Sequence, residues 1–141
     1  MNLMYDFKRE GDLYIFKVTG FMFYSKHHHV VDEIIQEIKK LDEQQQPYRL
    51  LFDLRGLKAV EPRMLAKIKE LDKAIYESKV TKVGTVMDSI IAKIQQMRTA
   101  ESEYYMENAM MFSNYDECLA WLNDPNQRVR PDIQREPSKL A

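Results

Sequence analysis

Short apolar runs alternate with amphipathic segments along this sequence, and this alternation restricts the possible folds more than any other feature. Two runs, Leu3 to Lys8 and Leu13 to Val18, flank the turn-forming Glu10-Gly11-Asp12, which predicts an antiparallel hairpin. Three further runs are typical of buried strands: Tyr48 to Leu54, Val80 to Met87 and Ala109 to Phe112. The sequence therefore predicts five strands.

Four other segments carry apolar residues at the three- and four-residue spacing of a helix. The predicted caps or first residues of these helices are Ser25, Glu61 with Pro62, Asp88 or Ser89, and Ser113. Helices that alternate with short buried strands favour parallel pairing and right-handed crossovers. We therefore predict a single α/β domain with a mixed, mainly parallel sheet, an N-terminal antiparallel hairpin and about four flanking helices.

Composition limits the classes of protein to which the chain can belong. Its 141 residues are 45% hydrophobic, enough for one domain with a core, and the net charge of −1 argues against nucleic acid as a partner. No apolar stretch approaches the ~20 residues of a transmembrane span. We expect a cytoplasmic protein with one domain over residues 1–124 and a flexible C-terminal tail over 125–141, which holds three prolines.

One segment resembles the motif of a known protein family. Residues 51–65, LFDLRGLKAVEPRML, resemble the core motif of the STAS family, which sulfate transporters and anti-sigma-factor antagonists share. In that motif a strand ends in an Asp-Leu-x-Gly turn, here Asp53 to Gly56. The closing residues 112–122 are similar to the last helix of the SpoIIAA-like branch. The resemblance covers residues 1–123, and it implies a bacterial regulatory or protein-interaction module without enzymatic activity.

The sequence departs from this family at the start of the second helix. In phospho-switched members an Asp is followed by a Ser that a kinase modifies, whereas the matching positions here hold Glu61 and Pro62. Proline has no hydroxyl group, and neither Arg63 nor Met64 can replace the missing serine. The resemblance therefore implies that the binding role persists without the phosphorylation switch.

Two clusters of aromatic and methionine residues are candidates for an exposed binding surface. One lies between a strand and a helix, and the other precedes the last strand; Met and aromatic residues are enriched at adaptable interfaces. The candidate residues are Phe21, Phe23, Tyr24, Tyr104, Tyr105 and Met106. A protein partner or self-association is the first interpretation of this surface. The alternative is an apolar ligand, such as a lipid or acyl chain, bound by a carrier domain at a membrane edge.

Histidine, cysteine and carboxylate residues offer little support for catalysis. The consecutive His27, His28 and His29 diverge around a helix and supply one metal ligand in each direction, so we expect no metal site. Cys118 has no basic neighbour, and we expect a half-buried, inert thiol.

Several polar residues should lie together at the carboxyl ends of the strands. They are Asp53, Arg55, Glu61, Asp88, Ser89, Ser113 and Asn114. We expect Asp53 to accept backbone hydrogen bonds in its turn, and Asp88 and Ser113 to cap helices. No catalytic residue and no cofactor is expected.

Overall fold

A computed structural model describes residues 3–88 and 106–125. The strands are β1 (Met4–Glu10), β2 (Leu13–Met22), β3 (Arg49–Asp53), β4 (Leu57–Val60), β5 (Lys82–Val86) and β6 (Ala109–Phe112). The helices are α1 (Tyr24–Glu43), α2 (Met64–Tyr76) and α3 (Tyr115–Asn123). The described residues thus hold three helices rather than about four, because the helix predicted after Asp88, with Ile90 and Ile94 in its apolar stripe, lies outside them.

The sheet is mixed and mainly parallel, as predicted. β1 and β2 form the antiparallel hairpin, and the other strands follow in the order β2, β3, β5, β6 with parallel pairing. β4 pairs in parallel with the last residues of β2, beyond the segment of β2 that pairs with β3. β3 and β4 therefore lie one after the other along the same strand, separated by the turn that contains Gly56.

The sequence did not predict β4, and the predicted second strand was shorter than β2. The second strand was expected over Leu13 to Val18, but β2 continues to Met22, and Gly20 donates its backbone N–H to the carbonyl of Gly56 at 2.9 Å. Both glycines have positive φ, 102° and 83°. A residue with this backbone conformation normally interrupts a strand, whereas here the two glycines are joined by a hydrogen bond and β2 pairs with β4 from Gly20 opposite Leu57 to Met22 opposite Val60.

Helices cover both faces of the sheet. On one face α1 and α2 pack over alternate strand residues in a core that includes Phe16, Ile34 and Ile38. On the other face α3 packs over the intervening residues, among them Ile15 and Leu51. Full burial of one such side chain stabilises the fold by about 1.5–3 kcal/mol. The side chains on both faces of β2 are therefore buried, as expected for a strand covered on two sides.

The starts of the first two helices differ from the prediction. α1 begins at Tyr24, so Ser25 already lies inside the helix and does not cap it; the N-cap residue is Phe23, whose own side chain makes no capping hydrogen bond. The strand β2 runs almost directly into α1, which leaves no loop for a serine cap. Pro62 precedes α2 and lies in a tight turn in which Met64 donates its N–H to the carbonyl of Glu61 at 2.8 Å.

The cap of α3 is also one residue away from its predicted position. The side chain of Asn114, and not that of Ser113, accepts the backbone N–H of Glu117 at 3.0 Å. Asn114 has the extended backbone conformation of an N-cap. Asn and Ser both serve as N-caps, so sequence preference alone could not decide between two adjacent candidates.

Two cations hold the C-terminal end of α3 against the sheet. The Nζ of Lys82 donates to the carbonyls of Trp121 at 2.7 Å and Asp124 at 2.8 Å. Arg49 donates to the carbonyl of Leu122 at 2.7 Å. Carbonyl groups at the end of a helix lack intrahelical partners and carry the negative end of the dipole, so both contacts are favourable.

Candidate functional site

The turn that follows β3 is organised by a buried carboxylate. Asp53 accepts the Nη2 of Arg55 at 2.8 Å and its Nε at 2.9 Å, and the backbone N–H of Arg55 at 3.2 Å. The backbone bond is the one that the sequence predicted. Asp88 accepts the N–H of Gly56 at 3.1 Å, so it braces this turn. Its predicted role as a helix cap concerns residues outside those described.

Opposing effects act on the pKa of the Asp53 carboxyl. Burial raises this pKa, but the hydrogen bonds and positive charge of Arg55 more than compensate, and the pKa lies below its ordinary value. The Arg55 guanidinium also covers the ring of Tyr115, 4.6 Å from its centroid. The turn is therefore tied to the first residue of α3.

The starts of α1 and α2 meet at a corner of the molecule, which we call the α1–α2 corner: Phe21, Phe23, Tyr24, Glu61, Pro62 and Arg63. Glu61 accepts the backbone N–H of Tyr24 at 3.2 Å and donates its own N–H to the carbonyl of Met22 at 2.9 Å. The Arg63 guanidinium lies over the Tyr24 ring, 4.7 Å from its centroid. Glu61 thus satisfies an N–H group at the start of α1 and fixes the two helix starts together.

Aromatic side chains at this corner are accessible to solvent. The Phe21 and Phe23 rings stack with centroids 6.3 Å apart, and the His27 ring lies 6.1 Å from Phe23. Phe23 is 39% exposed, and Phe21 and Tyr24 are half-buried, whereas Met22 is buried. The structure therefore brings three of the predicted surface residues together beside the family motif positions Glu61 and Pro62.

Solved structures share this architecture. An anti-sigma factor antagonist from Mycobacterium paratuberculosis matches with a TM-score of 0.60 at 12% identity, over 87% of this chain and 96% of its own. A protein of the DUF3478 family from Shewanella loihica PV-4, described as having a SpoIIAA-like fold, matches with a TM-score of 0.54 at 15% identity, over 85% and 93%. This chain has the SpoIIAA-like fold.

The SpoIIAA-like fold is the one that the Asp-Leu-x-Gly motif and the closing residues 112–122 led us to expect, so that resemblance is confirmed at the level of the fold. No protein-family model matches this sequence, and no curated protein matches it significantly. In the described part of the chain, no helix is both long enough and apolar enough to cross a bilayer.

Two of the three consecutive histidines of this SpoIIAA-like domain, His27 and His28, make local hydrogen-bond contacts. The Nδ1 of His27 accepts the N–H of Phe23 at 3.0 Å, and the Nδ1 of His28 lies 2.7 Å from the carbonyl oxygen of Tyr24. Burial, with smaller effects of His29 and Lys26, lowers the pKa of His27. Over residues 3–88 and 106–125, no three His, Cys, Asp or Glu side chains gather as a metal site would require.

The remaining predicted residues are dispersed. Met106 packs at the edge of the α1-side core, while Tyr104, Tyr105 and Ser89 lie outside the described residues. Cys118 is fully buried rather than half-buried, because α3 sits directly on β5, and burial raises the pKa of its thiol to about 12. A thiol in that environment is protonated at neutral pH.

One carboxyl group with a buried oxygen atom was not predicted from the sequence. Asp72 of α2 has a buried Oδ2 atom without a hydrogen-bond partner among the described residues, and burial raises its pKa to about 7. The available indication was its spacing, since Asp72 follows Ile68 by four residues and precedes Ile75 by three, within the apolar stripe of the helix.

Proposed function

We propose that this chain is a non-enzymatic regulatory module that binds a protein partner at the α1–α2 corner. The carrying observation is the hydrogen bond from Tyr24 to Glu61. This bond holds Phe21, Phe23 and Tyr24 beside the turn at Glu61 and Pro62. Phospho-switched members of the family that the motif resembles carry the phosphorylated serine at the position of Pro62. One structural neighbour is an anti-sigma factor antagonist, which supports a regulatory role.

The chemistry of the corner indicates what kind of partner it accepts. Phe23 and Phe21 offer an apolar surface next to Arg63 and Lys26, both of which are exposed. Arg63 and Lys26 place two positive charges beside this surface, while the Glu61 carboxylate accepts the backbone N–H of Tyr24. A partner would present an apolar side chain to Phe23 and a carboxylate to Arg63. Aromatic residues and arginine carry much of the binding energy in such interfaces.

Binding at this corner is constitutive in our proposal. Phosphorylation acts by adding charge and strong hydrogen-bond acceptors at a hydroxyl group, and Pro62 has none. The arrangement that a serine would switch is instead held by Glu61 and by Arg63 stacked on Tyr24. Incubation with ATP and an anti-sigma-type kinase should add no phosphate between Glu61 and Leu65 that alters partner binding.

A quantitative binding comparison tests the proposal. Partner proteins captured from the native host by the wild-type chain should be lost with Phe23→Ser and with Arg63→Glu, and retained with Tyr76→Ser, a control at the exposed C-terminal end of α2. Each purified partner is then titrated against all four proteins. Equal affinities across the set would contradict the proposal.

The same preparation tests the alternative of an apolar ligand. Native mass spectrometry of the chain purified from its host should show no co-purified lipid or acyl compound. A stoichiometric lipid that is lost on changing Phe23 would favour the carrier function instead.

A further inference from the structure

The outer edge of β1 is a second candidate surface, separate from the α1–α2 corner. β1 lies at the end of the sheet and pairs with β2 over seven residues, from Met4 opposite Thr19 to Glu10 opposite Leu13. Among residues 3–88 and 106–125, no strand pairs with its other edge. The backbone N–H and C=O groups on that edge can pair with another strand.

A row of aromatic rings leads across the sheet to this edge. Phe52, Phe16 and Phe7 are in register on three neighbouring strands, with ring centroids 5.3 Å and 4.7 Å apart. The first two rings are buried, whereas Phe7 at the edge is half-buried. A further strand that placed an aromatic residue beside Phe7 would extend the row and bury its last member.

The charges of β1 are complementary to a second copy of the same strand. In an antiparallel pair with its two-fold axis at Phe7, Asp6 of each copy lies opposite Lys8 of the other. The neighbouring registers that keep the same faces together place Asp6 opposite Asp6 or Lys8 opposite Lys8, and both are repulsive. Shifts by one residue exchange the two faces of the strand. Among these three registers, only the one in which the two Phe7 rings meet sets Asp6 opposite Lys8, and it pairs all seven residues of β1.

The face that carries Phe7 is also complementary in charge. This register places Arg9 opposite Tyr5 of the other copy. Tyr5 lies near the carboxylates of Glu33 and Glu37 on α1, which add to the effect of burial in raising its pKa to about 12. Arg9 of the second copy would thus approach two acidic side chains. Charged residues on an edge strand usually oppose pairing, but here their spacing favours a single partner strand.

We propose that two copies of this chain associate through antiparallel pairing of their β1 strands, centred on Phe7, so that one sheet continues across both molecules. A second copy is the partner that fits this edge, because the charged residues of β1 are complementary to the same residues of an antiparallel copy. This interface lies on the outer edge of β1 and uses none of the residues of the α1–α2 corner, so it does not depend on the partner proposed above.

Charge reversal tests this pairing on the full chain. Asp6→Lys places Lys opposite Lys8, and Lys8→Asp places Asp opposite Asp6, so each single variant converts two attractive pairs into two repulsive ones. Sedimentation equilibrium should show a dimer for the wild-type chain and a dissociation constant raised at least about tenfold for each single variant. The exchanged double variant, with both substitutions, should recover the wild-type constant.

A mixture of the Asp6→Lys and Lys8→Asp variants gives the most specific test of the pairing. The two single variants have complementary charges, so an equimolar mixture should form heterodimers although neither protein alone associates well. Circular dichroism checks that each variant is folded, and Lys73→Glu on the exposed face of α2 serves as a control with the same charge change as Lys8→Asp, which should dimerise normally. A monomeric wild-type chain, or single variants that dimerise as the wild type does, would overturn the proposal.

Discussion

The carboxylate of Glu61 accepts the backbone N–H of Tyr24, with 3.2 Å between oxygen and nitrogen, although 37 residues separate the two in sequence. Helix α1 lacks a capping side chain on its own N-cap residue, Phe23. The acceptor for an N–H group of its first turn is instead supplied by the chain segment that leads into α2. The start of α1 therefore depends on a residue that no local pattern connects to it.

This relationship predicts the effect of changing Glu61. Glu61→Ala should lower the free energy of unfolding by about 1 kcal/mol, the usual cost of losing a helix N-cap. Glu61→Gln keeps an oxygen acceptor and should lose less. Urea unfolding measures both variants, with Glu43→Ala at the exposed C-terminal end of α1 as the control. An Ala variant as stable as the wild type would show that the bond contributes nothing.

The Asp53–Arg55 pair predicts a dependence of stability on pH. The folded-state pKa of Asp53 lies below its unfolded value near 3.8, so the stabilisation is present above about pH 4 and is lost as the pH falls through the folded-state pKa. Arg55→Met leaves a buried carboxylate with fewer donors and should cost about 1–3 kcal/mol at pH 7.

The difference between the wild-type chain and Arg55→Met should shrink as the pH approaches the folded-state pKa of Asp53. Chemical denaturation at a series of pH values measures this convergence. A constant difference at every pH would indicate that Arg55 acts through its packing on Tyr115 alone.

Asp72 predicts the opposite dependence. Its folded-state pKa of about 7 exceeds the unfolded value of 3.8, so the protonated form favours the folded state and stability is lost as the pH rises through 7. Since one pKa unit corresponds to about 1.4 kcal/mol, Asp72→Asn should be more stable than the wild type at pH 8 by up to about 4 kcal/mol. The two proteins should converge below pH 4.

Thermal melting of Asp72→Asn across this pH range is the measurement. Glu77→Gln, at the exposed end of the same helix, is the matched control and should show no such divergence. If Asp72→Asn is no more stable than the wild type at pH 8, the carboxyl group is ionised at little cost.

The contact between β5 and α3 predicts a non-additive pair of substitutions. A Cβ atom on Gly84 would collide with the Sγ of Cys118, so Gly84→Ala should cost about 1–3 kcal/mol through overpacking. Adding Cys118→Ala removes the sulfur atom and should restore part of the loss. A double-mutant cycle in guanidinium measures this coupling, and strictly additive losses would argue against the close approach.

The C-terminal residues provide a prediction from the sequence alone. Truncation after Asp124 removes three prolines and few apolar side chains, so the melting temperature should change by only a few degrees. Differential scanning calorimetry of the two chains tests the proposed boundary of the domain. A large decrease would mean that residues after 124 pack against the domain.

The sequence by itself determined the class of fold, the hairpin and the alternation of helices with mainly parallel strands. These follow from local periodicity, because apolar spacing over a few residues separates a buried strand from an amphipathic helix. Helix α1 shows the helical spacing in Val30, Ile34 and Ile38, and β3 shows the continuous apolar run of a buried strand. The Asp53 turn was also predictable, since the carboxylate bonds a backbone group only two residues away.

Only the tertiary structure decided how distant segments meet. β4 is a strand because β2 lies beside it, and Glu61 is a cap because the start of α1 approaches it. Asp72 lies within an apolar stripe yet carries a carboxyl group whose pKa depends on what surrounds it. Such features arise from contacts between residues far apart in sequence, and the periodicity of a single segment does not contain that information.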